Sequence, residues 1–256
     1  MIAILSPAKK LNENSLEVYS LEFSQARFLG DSEELMKYLK KMKPKAIGKL
    51  MDLSANLAEL NFDRNQQWEK LHDAENSKPA ILTFNGDAYL GLNAEDFSAE
   101  DFSFAQNHLR ILSGLYGLLR PMDLIQAYRL EMGRKLNTKK HDNLYGFWGG
   151  RINERLQKDI DESGSPYLVN VASAEYARSA NFKQLKAKII TCEFKEFKNG
   201  DYKAIMTFAK KARGMMSRFI IKNRINEPEH LKAFDLGKYV FNPKMSSELN
   251  FVFTRN

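Results

Sequence analysis

The chain has 256 residues, with 39 Lys+Arg against 32 Asp+Glu for a formal net charge of +7; 43% of it is hydrophobic, 28% is charged, and there is one cysteine. That length buries enough surface for one large domain or two small ones without disulfides or metal, which excludes a small stapled scaffold. No apolar run approaches the roughly 20 residues that span a bilayer, the first residues lack the pattern of a secretory leader, and Cys192 has no partner for an internal disulfide. A cytoplasmic protein is expected.

In chain order, Met1 to Leu5 reads as a buried strand that runs into Ser6-Pro7-Ala8-Lys9. Residues 31–61 read as a helical hairpin. Leu35, Met36, Leu39 and Met42 form one apolar stripe, and Ile47, Leu50, Met51, Ser54, Leu57 and Ala58 form the next. The break falls at Met42-Lys43-Pro44-Lys45, because proline lacks an N–H and suits a helix's first turn. Further apolar runs at Ala80–Phe84, Ile111–Ser113, Tyr167–Val171 and Lys188–Phe194 read as strands. Asn199-Gly200, between Lys188–Phe197 and Tyr202–Phe208, predicts an antiparallel hairpin, since both central residues of such a turn need positive φ. The fold class is therefore α/β, a mixed sheet with at least one antiparallel hairpin. With no repeat or linker, residues 1–256 read as a single domain.

From Thr207 to Ile225, Phe208, Ala212, Met215, Met216 and Phe219 share one helical face and are expected in the core. Lys211, Arg218 and Lys222 lie on one flank beside Gly214, whose missing side chain admits a backbone or a ligand. Net positive charge favours acidic partners where it is concentrated. Leu35 to Leu50 carries six lysines and no acid, and Lys183 to Arg224 carries twelve Lys/Arg against Glu193, Glu196 and Asp201.

A glycine-rich dinucleotide turn, a Walker phosphate loop and a nucleophile elbow are all absent, so no cofactor is expected. Glu69-Lys70-Leu71-His72 and Glu227-Pro228-Glu229-His230 have the Glu-x-x-His spacing of di-iron bundles, but the further glutamates and long helices are missing, and Pro228 interrupts the second. No metal site is expected, and direct iron sequestration lacks ligands. Leu112 to Pro121 and Tyr128 to Gly133 are too broken by Gly, Pro and charge to form regular amphipathic elements. Asn170 to Tyr176 reads as a strand entering a helix with Ser173 as N-cap. Ligands bind at strand ends in α/β folds, so these segments and Ser6 to Lys9 are expected to converge on one cleft.

The segments Ser6-Pro7-Ala8-Lys9, Leu112 through Pro121, Tyr128 through Gly133, Phe147-Trp148-Gly149, Asn170 with Ala172-Ser173 and Glu175-Tyr176, Ala209-Lys210-Lys211-Ala212-Arg213-Gly214 and Ser217-Arg218-Phe219-Ile220 together resemble, end to end, the bacterial YaaA family of peroxide-stress proteins. The resemblance implies a cytoplasmic DNA-binding protein that supports survival under hydrogen peroxide and is associated with lower free iron. It also implies a single-unit fold likened to a cantaloupe slice, with a helix-hairpin-helix-like element and a positive cleft. The bend here has only Gly48 where that element usually has a Gly-rich loop.

The leading expectation is a largely sequence-nonspecific protein that binds double-stranded DNA, with bent or distorted duplex preferred. Lys40, Lys41, Lys43, Lys45 and Lys49 would contact phosphates from the hairpin, and Lys9, Lys10, Lys210, Lys211, Arg213 and Arg218 would line the cleft. The alternative is an enzyme acting on a nucleobase or damaged DNA. It would use the polar residues that backbone binding leaves idle, Asn85, Asp87, Arg120, Tyr128, Asn170 and Glu175, with Lys210 and Lys211 depressing one another to make a nucleophilic amine.

Overall fold

The computed structural model describes residues 1–12 and 22–256. Strand β1 (Ile2–Leu5) is buried along its whole length, as a run with no polar residue requires. After β2 (Ser24–Gln25) come helices α1 (Leu29–Leu39), α2 (Pro44–Met51) and α3 (Ala55–Gln67). Pro44 opens α2 as expected. The second predicted helix is nonetheless two, because Asp52 turns left-handed at φ 55 and Ser54 starts α3. Ile47, Met51 and Ala58 are buried, whereas Leu57 faces outward. Gly48 sits where α2 meets α3, with its Cβ position 3.3 Å from Ala58. The lysine-rich bend joins α1 to α2; the α2–α3 bend is Asp52-Leu53-Ser54.

Strand β3 (Lys78–Pro79) leads into α4 (Ala80–Thr83), followed by α5 (Asp87–Leu92) and α6 (Ala99–His108). The strand expected at Ala80–Phe84 is thus a single helical turn. A short buried apolar run has no period to separate strand from helix, and here the Thr83 hydroxyl donates to the Pro79 carbonyl at 2.8 Å, closing the turn. Ser98 and Asp101 form a reciprocal capping box on α6.

The chain continues through β4 (Leu109–Ser113), β5 (Gly117–Leu119), β6 (Asp123–Ile125), α7 (Leu144–Trp148), α8 (Arg151–Glu162), β7 (Tyr167–Asn170) and α9 (Ala174–Ala177). Ser173 is the N-cap residue of α9, as expected. Next come β8 (Lys188–Lys198), β9 (Asp201–Lys203), α10 (Met206–Lys222), β10 (Val240–Phe241) and β11 (Asn250–Arg255). The β8–β9 hairpin turns at Asn199 and Gly200 with φ of 54° and 80°. Its second strand is shorter than the expected Tyr202–Phe208, because α10 starts at Met206.

The large sheet runs β10-β11-β8-β7-β1-β4-β5, with β9 also pairing β8; β2, β6 and β3 form a small second sheet. Its five inner strands, β11 to β4, are parallel, and β10, β5 and β9 add antiparallel pairs at the margins. The fold is mixed α/β.

Helix α10 buries only part of the face predicted for it. Ala209, Ala212, Met216, Ser217, Ile220 and Ile221 are buried, while Phe208 is exposed and Met215 and Phe219 are half-buried. The orientation follows from contact with α5, where a Cβ on Gly214 would lie 1.6 Å from the Ala88 carbonyl oxygen, and one on Gly91 would lie 2.1 Å from that of Lys211. Close approach at Gly214 is therefore made by a backbone.

Candidate functional site

In the large sheet, the strand that follows β1 in sequence, β4, lies on one side of it, and the strand that follows β7, β8, lies on the other. Adjacent parallel strands whose successors leave in opposite directions open a crevice at their carboxyl ends. Ser6 follows β1 there and Ser173 follows β7. The Ser173 N–H donates to Ser6 Oγ at 2.9 Å, and Ser6 Oγ donates to Ser173 Oγ at 3.3 Å. The Tyr89 hydroxyl, from α5, donates to the Ser6 carbonyl at 3.2 Å. Buried Asn170 uses Oδ1 to accept the Ala172 N–H, holding the turn that delivers Ser173.

At the end of neighbouring β4, Ser113 Oγ and the Tyr128 hydroxyl are 2.6 Å apart. Gly114 lets residues 128–133 cross directly above, since a Cβ there would stand 2.2 Å from the Leu130 carbonyl oxygen. That crossing buries Glu131. Its Oε1 accepts from Lys9 at 2.9 Å and has Arg129 at 3.6 Å, while Arg134 Nε stands 3.4 Å from Oε2. Burial pushes the Glu131 carboxyl up, but the Lys9 hydrogen bond and the charges of Lys9, Arg134 and Arg129 together hold it below the usual range. Burial raises the phenols of Tyr89, Tyr128 and Tyr176, so all three are neutral hydroxyls at neutral pH. The Gly133 N–H donates to Glu175 Oε1 at 2.8 Å. The crevice therefore brings together Lys9, Tyr128, Asn170 and Glu175 from the expected residues. Ser6, Tyr89, Arg129, Glu131, Arg134, Ser173 and Tyr176 join them.

The loop leaving Gly133 carries Arg134, Lys135, Lys139 and Lys140 with no acid before Asp142, and its Lys139 N–H donates to the Tyr38 hydroxyl on α1 at 3.0 Å. It thus links the crevice to the lysine-rich bend. Lys41, Lys43, Lys45 and Lys49 are exposed there, and among the described residues they form no ion pair. Lys40 differs, since its ammonium donates to the Trp68 carbonyl at 2.8 Å.

Other expected residues are engaged elsewhere. Arg218 clamps Asp96 with two bonds of 2.7 and 2.8 Å and donates to the Leu92 and Asn93 carbonyls. Arg120 is tied to buried Asp123. Arg213 is half-buried, with burial pushing its guanidinium down and Glu193 acting the other way. Lys210 and Lys211 are exposed and successive on α10, so their side chains diverge by about 100° and neither occupies the desolvated pocket of a nucleophilic amine. Lys10 is exposed, and its carbonyl accepts the Asn85 N–H; Asn85 is also exposed, and Asp87 is the first residue of α5.

Among the described residues, no three His, Cys, Asp or Glu side chains gather as metal ligands would. Glu69 to His72 lies beyond the end of α3, and the His72 ring bonds the Tyr116 hydroxyl at 2.9 Å.

The family described as peroxide stress protein YaaA matches residues 1–245. The chain belongs to that family. It is similar over all its length to proteins described as UPF0246, each covered to 99%. They come from Saccharophagus degradans at 49% identity, Colwellia psychrerythraea at 50% and Teredinibacter turnerae at 48%. Membership connects the chain with peroxide stress. Among the described residues, no helix is long and apolar enough to cross a membrane.

The sequence reading of this family member misses Glu131 and its cations as site residues. The available signal is the alternation of Tyr128-Arg129-Leu130-Glu131-Met132, in which apolar Leu130 and Met132 are buried and carry the charged pair inward. Lys139 and Lys140 are signalled by the acid-free basic run from Arg134.

Proposed function

We propose that the protein binds double-stranded DNA without strong sequence preference during the peroxide response, in the cytoplasm and alongside a lowering of free iron. The Lys139–Tyr38 contact supports this reading most, because it joins the basic loop 134–140 to the exposed lysines of the α1–α2 bend. Solvated lysines along one path, without ion pairs among the described residues, suit phosphates, whose counterions they displace with no need of base readout. The working set is Lys41, Lys43, Lys45, Lys49, Lys135, Lys139 and Lys140, with Lys10, Lys210 and Lys211 exposed to extend it and Lys9 exposed but tied to Glu131. Lys40, Arg213 and Arg218 drop to supporting roles because their charge is engaged or partly buried.

Fluorescence anisotropy of a labelled duplex across a salt series tests the reading. Each lysine on a phosphate contributes about 0.9 to the slope of log affinity against log salt. Changing Lys41, Lys43 and Lys45 together to Ala is expected to flatten that slope by about 2 to 3. An affinity indifferent to salt would refute the reading.

A further inference from the structure

At the ends of β1, β4 and β7, two buried polar atoms of the crevice form no hydrogen bond with any described residue. Glu131 is 6% exposed, and its Oε2 accepts no hydrogen bond, Arg134 Nε standing 3.4 Å away as an ion-pair partner; Arg129 Nε, two residues earlier, donates none. Leaving such atoms unbonded costs free energy unless an ordered water or a ligand completes them. One is an acceptor and the other a donor. A phosphate would suit Arg129 but be repelled by Glu131, and an ammonium would do the reverse. A neutral edge carrying a donor beside an acceptor satisfies both, which is the chemistry of a nucleobase edge.

The surrounding charge specifies the rest of the ligand. Lys9, Arg129 and Arg134 lie around the one carboxylate of Glu131. The excess is positive, and Lys9, 61% exposed in its side chain, reaches from Glu131 into solvent. A neutral head and an anionic tail together describe a nucleotide.

We propose that this crevice binds a single nucleotide, with Glu131 Oε2 and Arg129 Nε on the base edge and Lys9 and Arg134 toward the phosphate. The nucleotide comes either free or extruded from a DNA strand, and only the second source rests on the DNA-binding function proposed above. Extrusion exposes the edge that pairing otherwise hides.

The test uses the whole wild-type chain and two probes. The four deoxynucleoside 5′-monophosphates are titrated by calorimetry, and a duplex with 2-aminopurine opposite an abasic site is followed by its fluorescence, which rises when the base unstacks. Saturable binding of at least one monophosphate supports the crevice. An added fluorescence rise assigns the strand as a source, and its absence assigns the free nucleotide. Glu131→Gln is expected to weaken monophosphate binding about tenfold, while duplex anisotropy stays within about twofold. Should that variant fail to fold, exposed Lys9→Met serves instead. It is expected to weaken binding of the monophosphate and leave binding of the matching nucleoside intact. If the wild type binds no monophosphate and leaves 2-aminopurine dark, the proposal is wrong, whether or not the duplex binds. Monophosphate binding with no duplex affinity would remove the DNA-binding function alone.

Discussion

Gly214 of α10 and Ala88 of α5 meet backbone to backbone, so that a Cβ on Gly214 would lie 1.6 Å from the Ala88 carbonyl oxygen. Gly91 makes the reciprocal approach to Lys211. No rotamer change can relieve a collision with a carbonyl, so the helices must separate. Gly214→Ala is expected to destabilise the protein by about 3 kcal/mol, the upper end of overpacking costs. Chemical denaturation measures it; a loss near zero would mean that α5 and α10 cross elsewhere.

Asp101 carries the acid sensitivity of the same region. Burial raises its carboxyl, but Lys222, the Ser98 backbone and Arg224 outweigh burial and bring it from 3.8 down to about 2. A carboxylate with a depressed folded value contributes stability that is complete above its unfolded value and is lost as pH falls through the folded one. Stability should therefore decline between 3.8 and about 2. Asp101→Asn should remove that part of the acid transition and, by losing the charged bonds to Lys222 and Arg224, cost about 1 to 2 kcal/mol at neutral pH. Acid titrations followed by circular dichroism compare the two proteins.

A buried relay sets a second dependence. The Tyr116 hydroxyl accepts from Trp68 Nε1–H at 2.9 Å and from the Gln126 N–H at 3.1 Å, which leaves its own proton for His72 Nε2 and assigns the neutral ring its proton at Nδ1, 3.2 Å from the Lys70 carbonyl. Burial pushes the imidazole below its ordinary 6.5, with the Lys70 backbone and Asp73 opposing. The unfolded chain thus takes up a proton that the folded chain resists, and stability falls as pH drops below 6.5. His72→Gln should flatten this decline, leaving the share carried by His108, whose ring burial also lowers. Urea midpoints at about pH 7.5 and about pH 5.5 read the difference.

Arg218 separates structural from functional charge. Its guanidinium joins α10 to Asp96 and to two carbonyls at the end of α5. Asp96 is 48% exposed in its side chain, so solvent screens the pair. Arg218→Gln is expected to cost about 1 kcal/mol and to leave the salt slope of duplex binding unchanged. A slope reduced as much as by a bend lysine would return Arg218 to the DNA surface.

Much of the framework is legible in the amino-acid order. β1 and β7 stand out as short apolar runs suited to the inside of a parallel sheet, β4 and β8 as apolar stretches that carry Arg110 or alternate with charged residues, and the Asn199-Gly200 hairpin because its turn demands two positive φ values. Pro44 marks the start of α2 for an equally local reason. The turn at Ala80–Thr83 is not legible, since four buried apolar residues show neither helical nor strand period. The buried face of α10 depends on Gly214 and Gly91, on different helices, each admitting the backbone of the other helix.

The crevice required the tertiary structure most of all. Ser6 and Ser173 are 167 positions apart, and only the order of β7 beside β1 brings them within 2.9 Å. Lys9 and Glu131 come from different strand ends by the same route. Local sequence sets backbone conformation and the burial pattern, through steric and hydrophobic terms that act over a few residues. Which charged groups share a site is decided by sheet order, and that depends on packing summed over the whole chain.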